Sequence, residues 1–281
     1  MVTETLPATR CRNQVFHWGR RTYVMGVLNI TPDSFSGDGV GTDRAAAVAQ
    51  ANEFAKSGAD MIDIGAESTR PEAVPLGPEE ELRRLLPTLA AVRRATGLPL
   101  SVDTYKSGVA KAALAAGADM VNDVWGLLRD PLMASAVSDA NAPVIIMHNQ
   151  QGTGYRDLVQ EVIASLAESV RLAQETGIPR DRIIIDPGFG FGKTAAQNLE
   201  ILRRLDEFRA LKLPLLIGTS RKSTIGLVLH LPEGERMEGT AATVAIAIAK
   251  GVDMVRVHDV AGMVRVTRMS DAIVRGWDAP A

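Results

Sequence analysis

Ser57–Gly65 reads SGADMIDIG, Ala116–Val124 reads AGADMVNDV, and Lys250–Val260 reads KGVDMVRVHDV: one phrase, written three times. In each, a Gly stands where a helix would stop in the left-handed conformation, and a short apolar strand follows that runs out into polar residues. Gly58 and Gly117 stand 59 positions apart and Gly117 and Gly251 stand 134 apart, which is two and four units of about 30 residues or slightly more, the cadence of a strand-helix repeat. The fold class is therefore α/β, a single (β/α)8 barrel. Polar residues at the strand ends, among them Asp63, Asn122, Arg256 and His258, then fall at the C-terminal mouth, where barrel enzymes place their chemistry.

The rest of the chain supplies the missing units. Eight apolar stretches read as strands: Tyr23–Ile30, Met61–Gly65, Leu100–Thr104, Met120–Val124, Val144–His148, Ile183–Asp186, Leu215–Ser220 and Met254–Asp259. Most are continuously apolar over four to eight residues, as strands buried on both faces are, so the sheet is expected to be parallel. Helical periodicity marks 45–57, 79–94, 106–116, 158–176 and 197–209, several of these ending on Gly or before Pro. One domain over 1–281 is expected, its core running from about 15 to 275. The N-terminal segment to Arg21 is placed as a lid over the barrel floor, and the Pro/Gly-rich loops 29–42 and 68–78 as flaps after the first and second strands.

Composition excludes several classes. At 281 residues the chain buries a large core without staples. A formal charge of −2 provides no basic field for nucleic acid or an anionic membrane. Cys11 stands alone, so no internal disulfide forms. No basic-then-apolar leader and no long uncharged apolar run is seen, so a cytoplasmic setting is expected.

The chemistry must come from the strand ends. Asp103 ends SVDT, Asn122 and Asp123 end MVND, Asp186 ends IIID, and Lys222 follows LLIGTSR. Each alone reads equally well as a cap for the following helix, but capping does not require so many apolar runs to end in Asp or Asn, and a convergent polar cup accounts for all of them. DPGFGFGK at Asp186–Lys193 matches neither the phosphate-loop nor the dinucleotide pattern. Its glycines let a turn approach a flat ligand closely, with Phe189 or Phe191 to pack on it, although a plain Gly-rich turn with core aromatics fits as well. In RVHD, Arg256 and His258 are two positions apart and so on one side of a strand, a pairing suited to an anion such as phosphate. His17 and His230 carry no motif, and His148 reads as a strand-end polar residue. HExxH, CxxC and His/Cys clusters are missing, so no structural zinc is expected.

MGVLNITPDSFSGDG (Met25–Gly39), GAESTRP (Gly65–Pro71), VDTYK (Val102–Lys106), NDV (Asn122–Val124), IIIDPGFGFGK (Ile183–Lys193), IGTSRKS (Ile217–Ser223) and RVHDV (Arg256–Val260) together resemble the dihydropteroate synthase family of the folate pathway. The resemblance implies condensation of 7,8-dihydropterin-6-ylmethyl pyrophosphate with 4-aminobenzoate to 7,8-dihydropteroate and pyrophosphate, with Mg²⁺. It implies that Asp103, Asn122, Asp186, Met147, Phe191 and Lys222 hold the pterin, and that Thr69, Arg70, Asn29, Arg256 and His258 hold the pyrophosphate. Phe35, Thr69, Pro71, Phe191 and Ser223 would receive the 4-aminobenzoate, Asn29 would contact the metal, and Asp103, Lys222 and Arg70 would act in catalysis. A homodimer is implied as well.

The chain departs from the family pattern at Ala66, Glu72, His148-Asn149-Gln150 and Thr224, none of them a charged contact. Three alternatives stay open on the residues. A paralogue with weak activity and a non-catalytic pterin-binding protein would keep the same ring-gripping groups, and so would a methyltetrahydrofolate:corrinoid methyltransferase. SRKS and RVHD count against the last, whose chemistry has no pyrophosphate to stabilise.

Overall fold

The computed structural model describes residues 6–30, 43–67 and 75–277. Within them the three repeated phrases fold alike. Each helix closes with a hydrogen bond spanning five residues: Ala59 N–H to Phe54 C=O at 2.9 Å, Ala118 to Ala113 at 2.9 Å, and Val252 to Ala247 at 3.1 Å. That closure requires a left-handed residue just before the donor, and Gly58, Gly117 and Gly251 take φ of 91°, 108° and 91°.

The Asp that comes next latches two strands. Asp60, Asp119 and Asp253 donate their backbone N–H to the C=O of Val24, Leu100 and Leu215, at 2.8, 2.7 and 2.9 Å. Their carboxylates accept the N–H of those same three residues, at 2.8, 2.9 and 3.0 Å. One residue thus satisfies both polar groups of a peptide at the start of the neighbouring strand, which sets the register of a parallel pair.

A hairpin of β1 (Thr9–Cys11) and β2 (Gln14–Phe16) precedes β3 (Tyr23–Asn29), α1 (Arg44–Ser57), β4 (Met61–Gly65), α2 (Pro78–Ala95), β5 (Leu100–Asp103), α3 (Ser107–Ala115), β6 (Met120–Asp123) and α4 (Met133–Asp139). There follow β7 (Val144–Met147), α5 (Leu158–Glu175), β8 (Ile183–Asp186), α6 (Ala195–Arg203), β9 (Leu216–Ile217), α7 (Ser223–Leu229), α8 (Met237–Ala249), β10 (Met254–Val257) and α9 (Val260–Arg275). The eight strands after the hairpin are parallel, in the order β8-β7-β6-β5-β4-β3-β10-β9. A bridge between Ile185 and Leu215 joins the two ends of this order, so the barrel is nearly closed.

Strand alternation sorts the apolar residues into two cores. Val24, Leu28, Ile62, Ile64, Val102, Val121 and Ile185 face outward into a layer shared with the helices. Met25, Met61, Met120, Ile145, Ile184, Leu216 and Met254 form a separate inner cluster, with Phe16, Trp18 and Tyr23 packed on it. Phe16 and Trp18 stack at 5.4 Å, and Tyr23 meets both edge-on. The hairpin therefore packs against the floor of the barrel.

Some elements differ from expectation. The seventh barrel strand is only Leu216–Ile217, shorter than 215–220. The helix expected over 197–209 stops at Arg203 and gives way to a 3-10 turn over Leu205–Leu211. The hairpin, α4 and α9 have no counterpart among the expected elements. Most of the two expected flaps lies outside the described residues, and with them Phe35, Thr69, Arg70 and Pro71.

Candidate active site

Two residues up each strand from the inner apolar layer, the same alternation places a second inner layer. Met61 is followed by Asp63, Met120 by Asn122, Ile145 by Met147, Ile184 by Asp186 and Met254 by Arg256, and on β5 the small polar Ser101 stands at the lower level, followed by Asp103. The barrel is thus apolar at its floor and charged at its mouth, and register does the sorting: Asp63 pairs beside Ser101, Gly65 beside Asp103, and Asp103 beside Asn122.

Arg256 ties one half of this layer together. Its Nε donates to Asp63 Oδ2 at 2.6 Å and its Nη2 to Asp103 Oδ2 at 2.8 Å. Asn122 Nδ2 donates to the same Asp63 oxygen at 2.9 Å, which leaves the amide oxygen of Asn122 as the group free to accept from a ligand. The other oxygens, Asp63 Oδ1 and Asp103 Oδ1, are buried and have no hydrogen-bond partner among the described residues. Two carboxylates against one guanidinium leave the cup short of donors. Burial pushes Asp103 up to about 7, against the pull of Arg256 and with repulsion from Asp63 adding to it. Burial also works against the charge on Arg256, but Asp63 and Asp103 overcome it and hold its pKa above the ordinary value. Asn29, at the end of β3, completes this side: its Oδ1 and Asp103 Cβ lie 3.7 Å and 3.6 Å from the point where a side chain on Gly65 would begin, so the two polar residues flank one spot of the mouth.

The facing wall is built by the Gly-rich turn after β8. Gly188 N–H donates to Asp186 Oδ1 at 2.7 Å, fixing that carboxylate. Lys222 donates to the C=O of Phe189, and its ammonium lies 4.3 Å from the centroid of the Phe191 ring. Gly190, at φ 85°, is required here, since a Cβ would stand 2.7 Å from Lys222 Cδ. Burial lowers Lys222 to about 8, with Asp186 opposing, and burial raises Asp186, with Lys222 opposing. Lys222 also feels Arg256 and Asp103 across the cup, so the two halves form one electrostatic site.

The structure brings Asn29, Asp103, Asn122, Met147, Asp186, Phe191, Lys222 and Arg256 to this one end of the barrel. Ser223 is exposed as the first residue of α7. His258, beyond the end of β10, meets Ser220: its N–H lies 3.2 Å and its Nδ1 3.0 Å from the hydroxyl oxygen. Arg256 and His258 thus turn to different partners, the guanidinium to carboxylates and the imidazole to a hydroxyl.

Several contributors carried no sequence signal beyond their position. Asp63 is the hub of the cup, although the sequence marked it only as a polar residue at the end of a repeated strand. Lys106, the last residue of VDTYK, is clamped between Glu67 and Glu81, the latter at 2.5 Å. Tyr105 donates to the same Glu67 at 2.8 Å and Thr104 to Glu81 at 2.7 Å. His148, read as a plain strand-end residue, is buried against Lys193 at 2.9 Å.

Fold and cup define an α/β barrel whose mouth has more acceptors than donors, and a family model described as pterin binding enzyme matches residues 25–258. The dihydropteroate synthase of Clostridium beijerinckii is 46% identical over 261 residues, covering 92% of this chain and 97% of that protein. A crystal structure of dihydropteroate synthase from Clostridium difficile in the presence of pteroic acid superposes with a TM-score of 0.89 at 47% identity, covering 92% of this chain and 99% of the other. The Xanthomonas albilineans dihydropteroate synthase with 4-aminobenzoic acid matches with a TM-score of 0.89 at 43% identity, over 96% of this chain and 98% of the other. The chain belongs to the pterin-binding enzyme family, among its dihydropteroate synthases, and is a transferase of folate biosynthesis.

Proposed function

We propose that this chain joins 7,8-dihydropterin-6-ylmethyl pyrophosphate to 4-aminobenzoate, releasing pyrophosphate, and that the cup around Arg256 is where the pterin lies. The observation that carries this is the shortage of donors: Asp63 and Asp103 each keep a buried oxygen without a partner among the described residues, and the amino and ring N–H groups of a pterin supply what is missing. Asp186 and Asn122 accept from that edge, Asp103 with its unpartnered oxygen lies at the ring beside them, and Lys222 donates to the acceptor side of the ring. Met147 and Phe191 cover its faces.

The C–O bond to pyrophosphate breaks, the amine nitrogen of 4-aminobenzoate forms the new C–N bond, and that nitrogen's proton leaves with solvent or pyrophosphate. An aniline nitrogen is a weak base that needs little activation, so no Ser/His/Asp nucleophile is called for. Ionised Asp103 stabilises the positive charge that develops on the pterin methylene as the leaving group departs. Arg256, His258, Thr69 and Arg70 receive pyrophosphate, Arg70 aiding its departure, while Ser223, with Phe35, Thr69 and Pro71, receives the benzoate.

Mg²⁺ fits this donor set. Asn29 presents one neutral oxygen beside Asp103, and among the described residues no group of three or more His, Cys, Asp or Glu forms an all-protein cage. One protein oxygen suits an ion that keeps its waters and takes its other ligands from phosphate. Bound there, it would neutralise charge on the departing pyrophosphate.

We place the enzyme in the cytoplasm; no helix among the described residues is long and apolar enough to cross a membrane. It acts as a homodimer in this reading, because Leu227 and Val228 of α7, Ile246 of α8, and Met269 and Ile273 of α9 are exposed apolar side chains that a second copy would cover. Sedimentation as a monomer at micromolar concentration rules that out.

The reading is tested by pyrophosphate release. Turnover is expected only with pterin substrate, 4-aminobenzoate and Mg²⁺ all present, and Asp186→Ala or Lys222→Ala should weaken pterin binding by calorimetry at least tenfold. Release without the amine, or unchanged pterin affinity in both variants, counts against it.

A further inference from the structure

Lys193 closes the stretch DPGFGFGK, and its ammonium is buried inside the turn that this stretch makes. Nζ lies 2.9 Å from His148 Nδ1 and donates to the C=O of Gly188 at 3.1 Å and of Phe191 at 3.0 Å. Three N–H groups thus meet three acceptors, and the inventory of an ammonium is complete. Burial first and the Lys193 charge second lower His148 to about 3, so the imidazole is neutral, with its lone pair at Nδ1 and its proton at Nε2. Burial lowers Lys193 itself to about 7, with Asp186 opposing.

The turn has little freedom around this contact. A Cβ on Gly188 would stand 1.9 Å from the C=O oxygen of His148, and one on Gly192 would stand 2.6 Å from that of Gln150. Tyr155 donates to the C=O of Gly192 at 2.9 Å, and Asn198 accepts the N–H of Gly190 at 2.7 Å. The groups so held are those that form the far wall of the cup: the Gly188 N–H on Asp186, the Phe189 C=O on Lys222, and the Phe191 ring beneath Lys222.

We propose that Lys193 is a positioning residue: braced on His148, its ammonium holds the Gly188–Phe191 turn, and through it Asp186 and Lys222, in the geometry that grips a flat ring. The inference rests on the ring-binding reading above. A lysine is needed because a chain of equal length without the ammonium takes the donor from the Phe191 carbonyl and the His148 imidazole nitrogen, and leaves the Gly188 carbonyl with the Phe191 N–H alone. An arginine does not replace it either, since a planar fork cannot aim three donors from one nitrogen at the Gly188 carbonyl, the Phe191 carbonyl and His148 Nδ1.

The test uses the full chain, with 6-hydroxymethylpterin as a ring that has no leaving group, and inorganic pyrophosphate with Mg²⁺ as a probe of the other subsite. By calorimetry, Lys193→Met and His148→Leu should each lose at least tenfold in ring affinity and keep pyrophosphate affinity within twofold, and the double variant should lose no more than the worse single one. His148→Gln, which keeps an acceptor, should recover most of the loss. Hydrogen exchange at Gly188 and Gly190 should quicken at least tenfold in Lys193→Met. Should Lys193→Met fail to fold, the two His148 variants carry the same comparison. Ring affinity unchanged in Lys193→Met, or ring and pyrophosphate affinity falling together, overturns the brace. Wild-type protein that takes up no ring overturns the ring-binding reading first, and the two failures are thereby told apart.

Discussion

Carboxylates stand at both ends of the barrel, and the two ends treat them oppositely. At the floor, Asp60, Asp119 and Asp253 each hold both polar groups of a neighbouring strand's peptide, and their remaining capacity goes to Arg21, to Arg93 and to the N–H of Gly19. At the mouth, Asp63 and Asp103 share one guanidinium, and each keeps a buried oxygen that no described residue satisfies. Asp60 and Asp253 at the floor are buried, as are Asp63 and Asp103 at the mouth, and a buried charge is costly unless it is paired. The floor recovers that cost within the chain and gains register, whereas the mouth leaves it outstanding for a ligand to recover, so one end stabilises the fold and the other is made to bind.

The sharpest way to break this contrast is the same chemical change at each end. Asp63→Asn removes the charge that orients Asn122 and Arg256, so turnover in the pyrophosphate-release assay is expected to fall at least about a hundredfold, with the fold kept. Asp253→Asn leaves one oxygen to serve two N–H groups, those of Gly19 and Leu215, so one stays unsatisfied. Stability to denaturant should fall by about 2 kcal/mol, and activity per folded molecule should stay within twofold. If Asp63→Asn costs stability and not rate, or Asp253→Asn costs rate and not stability, the division between floor and mouth is wrong.

That division was partly legible in the sequence. Continuous apolar runs such as VIIM and IIID announce strands buried on both faces, and a Gly before each repeat announces where helices stop, because both signals are local. The polar cup was legible for the same reason, each member ending an apolar run. Pairing was not. Arg256 read beside His258 as an anion clamp from strand period alone, while its contacts to Asp63 and Asp103 join residues 193 and 153 positions away. Lys193 and His148 are 45 apart, and nothing near either suggests the other. The hairpin escaped notice because three-residue strands such as TRC and QVF carry too few alternations to show a period. The strand at Leu216–Ile217 stopped short of its apolar run because its ladder ends where Gly218 and Thr219 begin the turn that carries Lys222.

A finer test reads the mouth by pH. The folded state raises Asp103 from 3.8 to about 7, so between those values the native protein holds a proton that the unfolded chain releases. Stability owed to this group is fully present below about 4 and is lost as pH rises toward 7. Asp103→Asn does not titrate, so its stability relative to wild type should climb between pH 5 and pH 8, by at least about 1 kcal/mol, even as activity disappears. Denaturant midpoints at the two pH values measure it. A variant that loses ground as pH rises would mean that Asp103 is a stabilising anion and not a carboxylate held at a cost for a ligand.

The smallest expected effect tests whether the floor is only a scaffold. Gly58 sits at φ 91°, where an L side chain is disfavoured by roughly 1 kcal/mol or a little more. Space is not the obstacle, since a Cβ there would meet Val264 Cγ1 at 3.5 Å and Arg268 at 3.7 Å, ordinary contact distances. Gly58→Ala should therefore cost about 1 kcal/mol through the backbone alone, and Gly58→Asn less, because Asn tolerates this region better. Neither should alter turnover, because Gly58 precedes β4 at its floor end, while Asp63 and Gly65 lie at its mouth end. A fall in rate with either variant would show that strain at the helix stop travels up β4 to the cup, and the two ends could then no longer be treated as separate devices.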